Sequence, residues 1–211
     1  MHEHVTWEMV ESWIKERKPE PHRSGKMGRS IIEVERGMIG LKHPKTGVVQ
    51  FMNPKDLGIE KLSPEAEIIS HKKDEGHYLV YLVNPGSDKL VLLELIMEKK
   101  AFGIYPKNFE LDEEISEKNY AILDNETAAI CTSKVLFVVR GEKHIGITLE
   151  KAGMKKIKNP VFGMGKSESH LWLAVMEERG GEVLLVCLTD EELGYAVRKK
   201  EEGFMEREPL D

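Results

Sequence analysis

Residues 160–167, PVFGMGKS, have a composition suited to holding an anion. A phosphate-binding loop reads G-x-x-x-x-G-K-[ST], and its backbone N–H groups and lysine hold the phosphate. Here Pro160 stands where the first glycine is required, and Ser167 leads into an apolar run typical of a strand. A looser anion site is the remaining hypothesis, and an exposed basic loop is the simpler interpretation. The candidate anion-binding residues are Lys155, Lys156, Lys158, Gly163, Gly165, Lys166 and Ser167.

Two of the eight histidines occupy matching places in the chain. His77 and His170 each begin an apolar run, and they lie 93 residues apart. If the two runs pack about a pseudo-twofold axis, the imidazoles face each other. This arrangement predicts a junction site formed by His77 and His170. The alternative is that both are ordinary residues at strand starts, each with local partners.

The spacing of the other reactive side chains gives little support to metal or nucleophile chemistry. No histidine pair has the H-E-x-x-H spacing of a zinc site, and Cys131 and Cys187 are far apart. Cys131, His144 and Asp124 contain the atoms of a nucleophile, a base and an orienting carboxylate. No G-x-S-x-G elbow or other activating context accompanies them. We therefore predict no metal, no cofactor and no catalytic residue, and the sequence leans against an enzyme.

An amphipathic helix is predicted over residues 6–18. Thr6 is a suitable N-cap, acidic residues lie near the start, basic residues lie near the end, and two prolines follow. Docking of its apolar face onto the chain's own domain is the simpler interpretation, and packing against a partner chain is the alternative. The candidate partner-binding residues are Trp7, Val10, Trp13 and Ile14.

The overall charge argues against a dedicated nucleic-acid-binding protein. The formal net charge is −6 at pH 7, whereas neutralising phosphates requires a basic surface. Two local segments are nevertheless basic, residues 15–29 and residues 151–166. They define an alternative function, the binding of an anion or a nucleic acid. For residues 15–29, a solvated linker is the simpler interpretation.

The clearest pattern in the sequence is a repeat of apolar runs. Residues 77–96 hold two such runs separated by Asn-Pro-Gly-Ser-Asp, which predicts a β-hairpin covered on both faces. Residues 170–189 repeat the pattern at an offset of 93 without a gap. The sequence therefore predicts a tandem duplication. Two further alignments extend it, residues 30–39 with 121–130 and residues 47–59 with 135–147.

The predicted fold class is α+β. Two tandem, β-hairpin-rich units of the form ββ-β-α-ββ-α are related by pseudo-twofold symmetry and pack as one globule. The predicted boundaries are 1–29 for the N-terminal helix and basic linker, 30–115 for the first unit and 116–211 for the second. Helices inside the units are predicted to start at Ser63-Pro64-Glu65 and to span residues 190–202.

The leading functional interpretation is a non-enzymatic interaction protein. A rigid, duplicated platform would bind a protein partner, with nucleic acid less favoured. The other alternative is a small-molecule enzyme with its site at the junction of the two units. No apolar run approaches the length that spans a bilayer and the N-terminus does not resemble a secretory signal, so we expect a cytoplasmic protein without a membrane partner. The oligomeric state stays open.

Overall fold

The computed structural model describes residues 5–17, 32–35 and 37–200. This part of the chain is mostly β, with four sheets and one α-helix. It divides into two compact units. The first unit comprises residues 32–35, 37–117 and 125–127, and the second comprises residues 5–17, 118–124 and 128–200. No helix in these residues combines the length and the hydropathy needed to cross a bilayer.

The first unit contains two sheets, and in each the strand order follows the chain order. Sheet A consists of β1 (Ile32–Glu35), β2 (Met38–Lys42) and β3 (Val49–Met52). A 3-10 helix, Pro54–Leu57, follows. Sheet B consists of β4 (Glu67–Asp74), β5 (His77–Val83), β6 (Lys89–Met97) and β7 (Phe102–Glu110). The predicted central hairpin is thus confirmed as β5 and β6.

The core of the first unit draws on both of its sheets. Ile39 and Leu41 of β2 are fully buried and belong to one apolar cluster with Val80 and Leu82 of β5 and with Val91 of β6. These residues alternate along their strands, as expected where one face of a strand enters a core.

The second unit contains helix α1 (Trp7–Glu16) and two further sheets. Sheet C consists of β8 (Tyr120–Asp124), β9 (Thr127–Cys131, whose first residue is grouped with the first unit), β10 (Val135–Arg140) and β11 (Lys143–Thr148). Sheet D consists of β12 (Pro160–Ser167), β13 (His170–Glu177), β14 (Glu182–Cys187) and β15 (Tyr195–Lys199). Both sheets are meanders of consecutive strands.

Sheet D is covered on both faces, which explains its nearly continuous apolar runs. Leu173 and Leu184 point into a core shared with residues of sheet C. Trp172 and Leu185 point into a second core that includes the apolar face of α1. Helix α1 begins as predicted, because the Thr6 hydroxyl accepts a hydrogen bond from the N3 backbone N–H at 3.1 Å. The N-terminal helix is therefore confirmed.

Both helices predicted inside the units are wrong. Residues 195–199 form strand β15, in which Tyr195 pairs with Val186 and Val197 pairs with Leu184. Pro64 lies in a turn that leads into β4. The charge pattern of residues 190–200 resembles a helix, but pairing with β14 satisfies the backbone of residues 195–199 and packs Val197 against the core. The predicted order ββ-β-α-ββ-α therefore fails at its helices.

Sheets B and D have corresponding strands. Each strand of sheet B begins 93 residues before the matching strand of sheet D. The register between the central strands also corresponds, because Leu79 pairs with Glu94 and Trp172 pairs with Cys187. The alignment of residues 47–59 with 135–147 places β3 against β10, but it fails in its later part, because the 3-10 helix of the first unit falls against strand β11 of the second.

Candidate functional site

Three side chains with metal-binding atoms converge at one end of sheet D. Ligand atoms of His170, Cys187 and Asp190 all lie within 4.8 Å of one another. Trp172 pairs with Cys187, and side chains two residues apart share a face of a strand, so His170 lies on the same face as Cys187. Strand β14 ends at Cys187, and the following residues bring Asp190 close to the same point.

The local hydrogen bonds hold this cluster in place. The Ser169 hydroxyl lies 3.0 Å from Nδ1 of His170, and Nε2 of the same ring lies 3.9 Å from a carboxylate oxygen of Asp190. The ammonium of Lys143 donates to the carbonyl oxygens of Leu188 and Asp190 at 3.1 and 3.0 Å. Lys143 thus fixes the segment that presents the Asp190 carboxylate.

Cys187 is buried, with 2% of its surface exposed. Burial raises the pKa of its thiol, because the thiolate is poorly solvated there. The Thr189 hydroxyl, 3.4 Å from the sulfur, and the backbone N–H groups of Thr189 and Asp190 act in the opposite direction. The Asp190 carboxylate acts in the same direction as burial, and the pKa of the Cys187 thiol stays above its ordinary value.

Sequence spacing did not reveal this cluster. His170 and Cys187 are 17 residues apart on two strands, and Asp190 follows in a turn, so no local motif marks them. The predicted hairpin of residues 170–189 could have indicated the cluster. Once the position of its turn is known, cross-strand pairing brings together the residues near the open end of the hairpin. Imidazole, thiolate and carboxylate are ligands that zinc accepts.

The two histidines of the predicted junction site each have partners within their own unit. His77 Nε2 lies 2.8 Å from a carboxylate oxygen of Glu94 in the first unit. His170 lies beside Ser169 and Asp190 in the second unit. The structure describes the two histidines only within their separate units, so their meeting at a junction stays a prediction.

The helix face predicted to bind a partner is occupied by the chain's own sheet. Trp7, Val10 and Trp13 are buried against sheet D, and Ile14 packs against the same cluster. The helix lies so close to β12 that a Cβ added at Gly163 would meet the backbone of Ile14 at 2.6 Å. A Cβ added at Gly165 would lie 2.0 Å from the Trp13 indole nitrogen. Two glycines of the anion-like motif thus make room for α1.

The remaining residues of the predicted anion site do not form a phosphate loop. Lys166 and Ser167 lie in strand β12, paired with Leu171 and His170 of β13, and Ser167 is buried. A strand directs its N–H groups sideways to its neighbours instead of converging them on one anion. Lys155, Lys156 and Lys158 are exposed in the segment before β12. The basic segment 15–29 lies outside the described residues beyond residue 17.

A second candidate site is the outer face of sheet A. Phe51 and Val49 of β3 are 66% and 45% exposed, and Met38 of β2, which lies two residues before Gly40 on the same face, is 40% exposed. Phe51 lies across from Gly40, where an added Cβ would be 3.4 Å from the ring. Three large apolar side chains therefore lie on one face of sheet A, and strand β3 is at the edge of that sheet.

Strand β3 differs from the other edge strands of the described chain. Eight strands lie at sheet edges: β1, β3, β4, β7, β8, β11, β12 and β15. Seven of them contain a charged residue or a proline, the residues that keep edges from pairing with other chains. The sequence of β3, Val-Gln-Phe-Met, contains neither.

Comparison with known proteins gave no match to a family model, to a curated protein or to a solved structure.

Proposed function

We propose that this protein is a non-catalytic binding protein whose sheet A receives an extended segment of a protein partner at the edge of β3. The observation that carries the proposal is the combination of an unprotected edge with the exposed side chains of Phe51 and Val49. An added strand would pair with the open backbone groups of β3, and its alternate side chains would cover the apolar face.

The chemistry of the surface favours an apolar peptide as the occupant. Exposed apolar side chains that lie together are typical of interaction surfaces, whereas single exposed ones are ordinary. Strand β3 has no charged residue, and its partner strand β2 supplies one lysine, Lys42 opposite Val49, whereas phosphate binding requires several positive charges. We therefore favour a protein segment with alternating apolar residues over a nucleic acid.

The rest of the molecule would act as a rigid, duplicated platform for this surface. The 93-residue spacing of the strands in sheets B and D, together with their common central register, supports an origin by duplication. Pseudo-twofold symmetry of the two units remains part of the proposal. On this view sheets B and D descend from one ancestral sheet, and they have kept its strand order while their surface residues have diverged.

Selection from a phage-displayed library of random linear peptides tests the proposal on the full chain. We expect the wild-type protein to enrich peptides with alternating apolar residues. Phe51→Glu should weaken their binding by at least about tenfold, because it removes the central apolar contact. Tyr105→Glu is the matched control, since Tyr105 is a 56% exposed aromatic on edge strand β7 and should leave binding unchanged.

Two results would overturn the proposal. One is enrichment of the same peptides by the wild-type protein and by Phe51→Glu. The other is reversible self-association of the purified protein in sedimentation experiments that Phe51→Glu abolishes, which would identify a second copy of the chain as the occupant.

A further inference from the structure

We propose that His170, Cys187 and Asp190 bind a divalent transition metal of the zinc class, with water completing the coordination. The site is separate from the peptide-binding surface of sheet A, and either proposal can fail without the other. It lies where β13 begins and β14 ends, on the face of sheet D that also carries Trp172.

The distances are close to those of a tetrahedral site. Zinc lies about 2.0–2.3 Å from its nitrogen, sulfur and oxygen ligands, which places the ligand atoms roughly 3.5 Å apart. His170 Nε2 and Asp190 Oδ1 are already 3.9 Å apart, and the widest separation within the trio is no more than 4.8 Å. The Asp190 side chain is 48% exposed, so its rotation can close the remaining gap.

The surroundings also match what metal ligands need. A hydrogen bond from one nitrogen of a ligating imidazole fixes the ring and directs the other nitrogen to the metal, and Ser169 is placed to make that bond. The Thr189 hydroxyl oxygen lies 3.4 Å from the Cys187 sulfur and helps to fix its position. Lys143 anchors the segment that carries Asp190 through the backbone carbonyl oxygens of Leu188 and Asp190.

The charges balance on binding. The metal displaces the proton of the Cys187 thiol, which passes to solvent, and the resulting thiolate and the Asp190 carboxylate supply two negative charges for a divalent cation. The thiolate ligand selects zinc and similar ions over magnesium and calcium, which prefer oxygen ligands alone. The exposed side of Asp190 leaves one coordination position accessible to water.

Cobalt(II) titration of the reduced, chelator-treated full-length protein tests the site, because a cobalt–thiolate bond produces a charge-transfer absorption band. We expect this band together with the visible bands of tetrahedral cobalt, and we expect zinc to displace the cobalt. Cys187→Ser should abolish the charge-transfer band. Cys131→Ser is the matched control, since Cys131 is equally buried and lies on β9, and it should leave the band intact.

Asp190→Asn adds a measurement that does not depend on changing a buried residue. It should weaken cobalt binding by more than about tenfold, because a direct ligand is lost. Absence of the charge-transfer band in the wild-type protein would overturn the proposal. So would a band that survives Cys187→Ser, or an affinity that Asp190→Asn leaves unchanged.

Discussion

Sheets B and D share strand order and central register, yet they carry different side chains at the same points. In sheet D, Gly163 pairs with Ala174 and Gly165 pairs with Trp172. At the corresponding places in sheet B, Ile69 pairs with Tyr81 and His71 pairs with Leu79. The irregularity between Lys72 and Asp74 shifts β4 by one residue and brings these large side chains to that face.

This difference explains where α1 is able to pack. The helix backbone approaches β12 within the space that a single Cβ would fill, and only a strand with glycines on that face allows such an approach. Ile69, His71 and Tyr81 would hold a helix away. Two sheets with a common strand pattern therefore differ in their surroundings because of three small residues, Gly163, Gly165 and Ala174.

A second difference concerns the histidines that begin β5 and β13. His77 faces Glu94, and the two form an ion pair when the imidazole is protonated. At the position of Glu94, sheet D has Cys187. Strand β6 continues to Met97, which packs against the core of the first unit, whereas β14 stops at Cys187 and frees the chain to bring Asp190 to His170. The residue at which the strand ends thus determines whether a third metal-ligating side chain reaches the histidine.

The largest expected effect comes from Gly165→Ala. The added methyl group would overlap the Trp13 indole, so we expect α1 to be displaced and the second unit to lose about 3 kcal/mol of unfolding free energy. Urea unfolding followed by tryptophan fluorescence measures this, because all three tryptophans, Trp7, Trp13 and Trp172, lie in the second unit. Gly146→Ala is the control, since its Cβ would meet Phe137 at an ordinary 3.5 Å. Equal losses for both variants would contradict the close approach of α1.

Zinc should produce the next largest effect. At a free zinc concentration one hundred times the dissociation constant, we expect the unfolding free energy of the second unit to rise by about 2.7 kcal/mol. The same urea experiment, with and without zinc, measures the gain. Cys187→Ser should remove it, whereas Glu94→Gln in the first unit should leave it intact. A gain that persists in Cys187→Ser would place the zinc elsewhere.

Tyr81→Phe tests the sheet B side of the comparison. Tyr81 is 1% exposed, and its hydroxyl has no hydrogen-bond partner in the described part of the chain, so we expect the substitution to stabilise the protein by about 1 kcal/mol at neutral pH. Burial raises the pKa of Tyr81 to about 12 from an ordinary value of 10.0. The folded state therefore holds this proton more tightly than the unfolded state does.

The consequence is a stability loss at high pH. The contribution of the protonated Tyr81 side chain to the unfolding free energy is constant below about pH 10 and decreases as the pH rises towards 12. Urea titrations at a series of alkaline pH values should show a shallower decline for Tyr81→Phe than for the wild-type protein. A Tyr81→Phe variant that is less stable than wild type at neutral pH would show that the hydroxyl has a favourable partner.

The smallest expected effect belongs to Glu94→Gln. The pair of His77 and Glu94 is partly exposed, with the Glu94 side chain 42% accessible, so its loss should cost less than about 1 kcal/mol. Thermal unfolding at pH 6 and at pH 8 measures it. A much larger cost would mean that His77 depends on Glu94 for its position in β5.

The sequence by itself determined the elements whose signals are local. The N-cap of α1 could be predicted from its residue type. The apolar face of the helix could be predicted because a helix repeats every 3.6 residues. The hairpin of β5 and β6 was readable because its turn residues separate two apolar runs. The charges flanking residues 195–199 predicted a helix wrongly, because strand preference depends on a neighbouring strand that local charge does not reveal.

The tertiary structure decided what the conspicuous residues do. Gly163 and Gly165 resemble a phosphate loop in the sequence, but their role is set by the distance of Trp13 and Ile14 from the sheet. His170, Cys187 and Asp190 have no local motif, and they meet because two strands pair in a particular register and one of them ends early. Contacts between residues distant in sequence depend on register, packing and strand length, and these are properties of the whole folded chain.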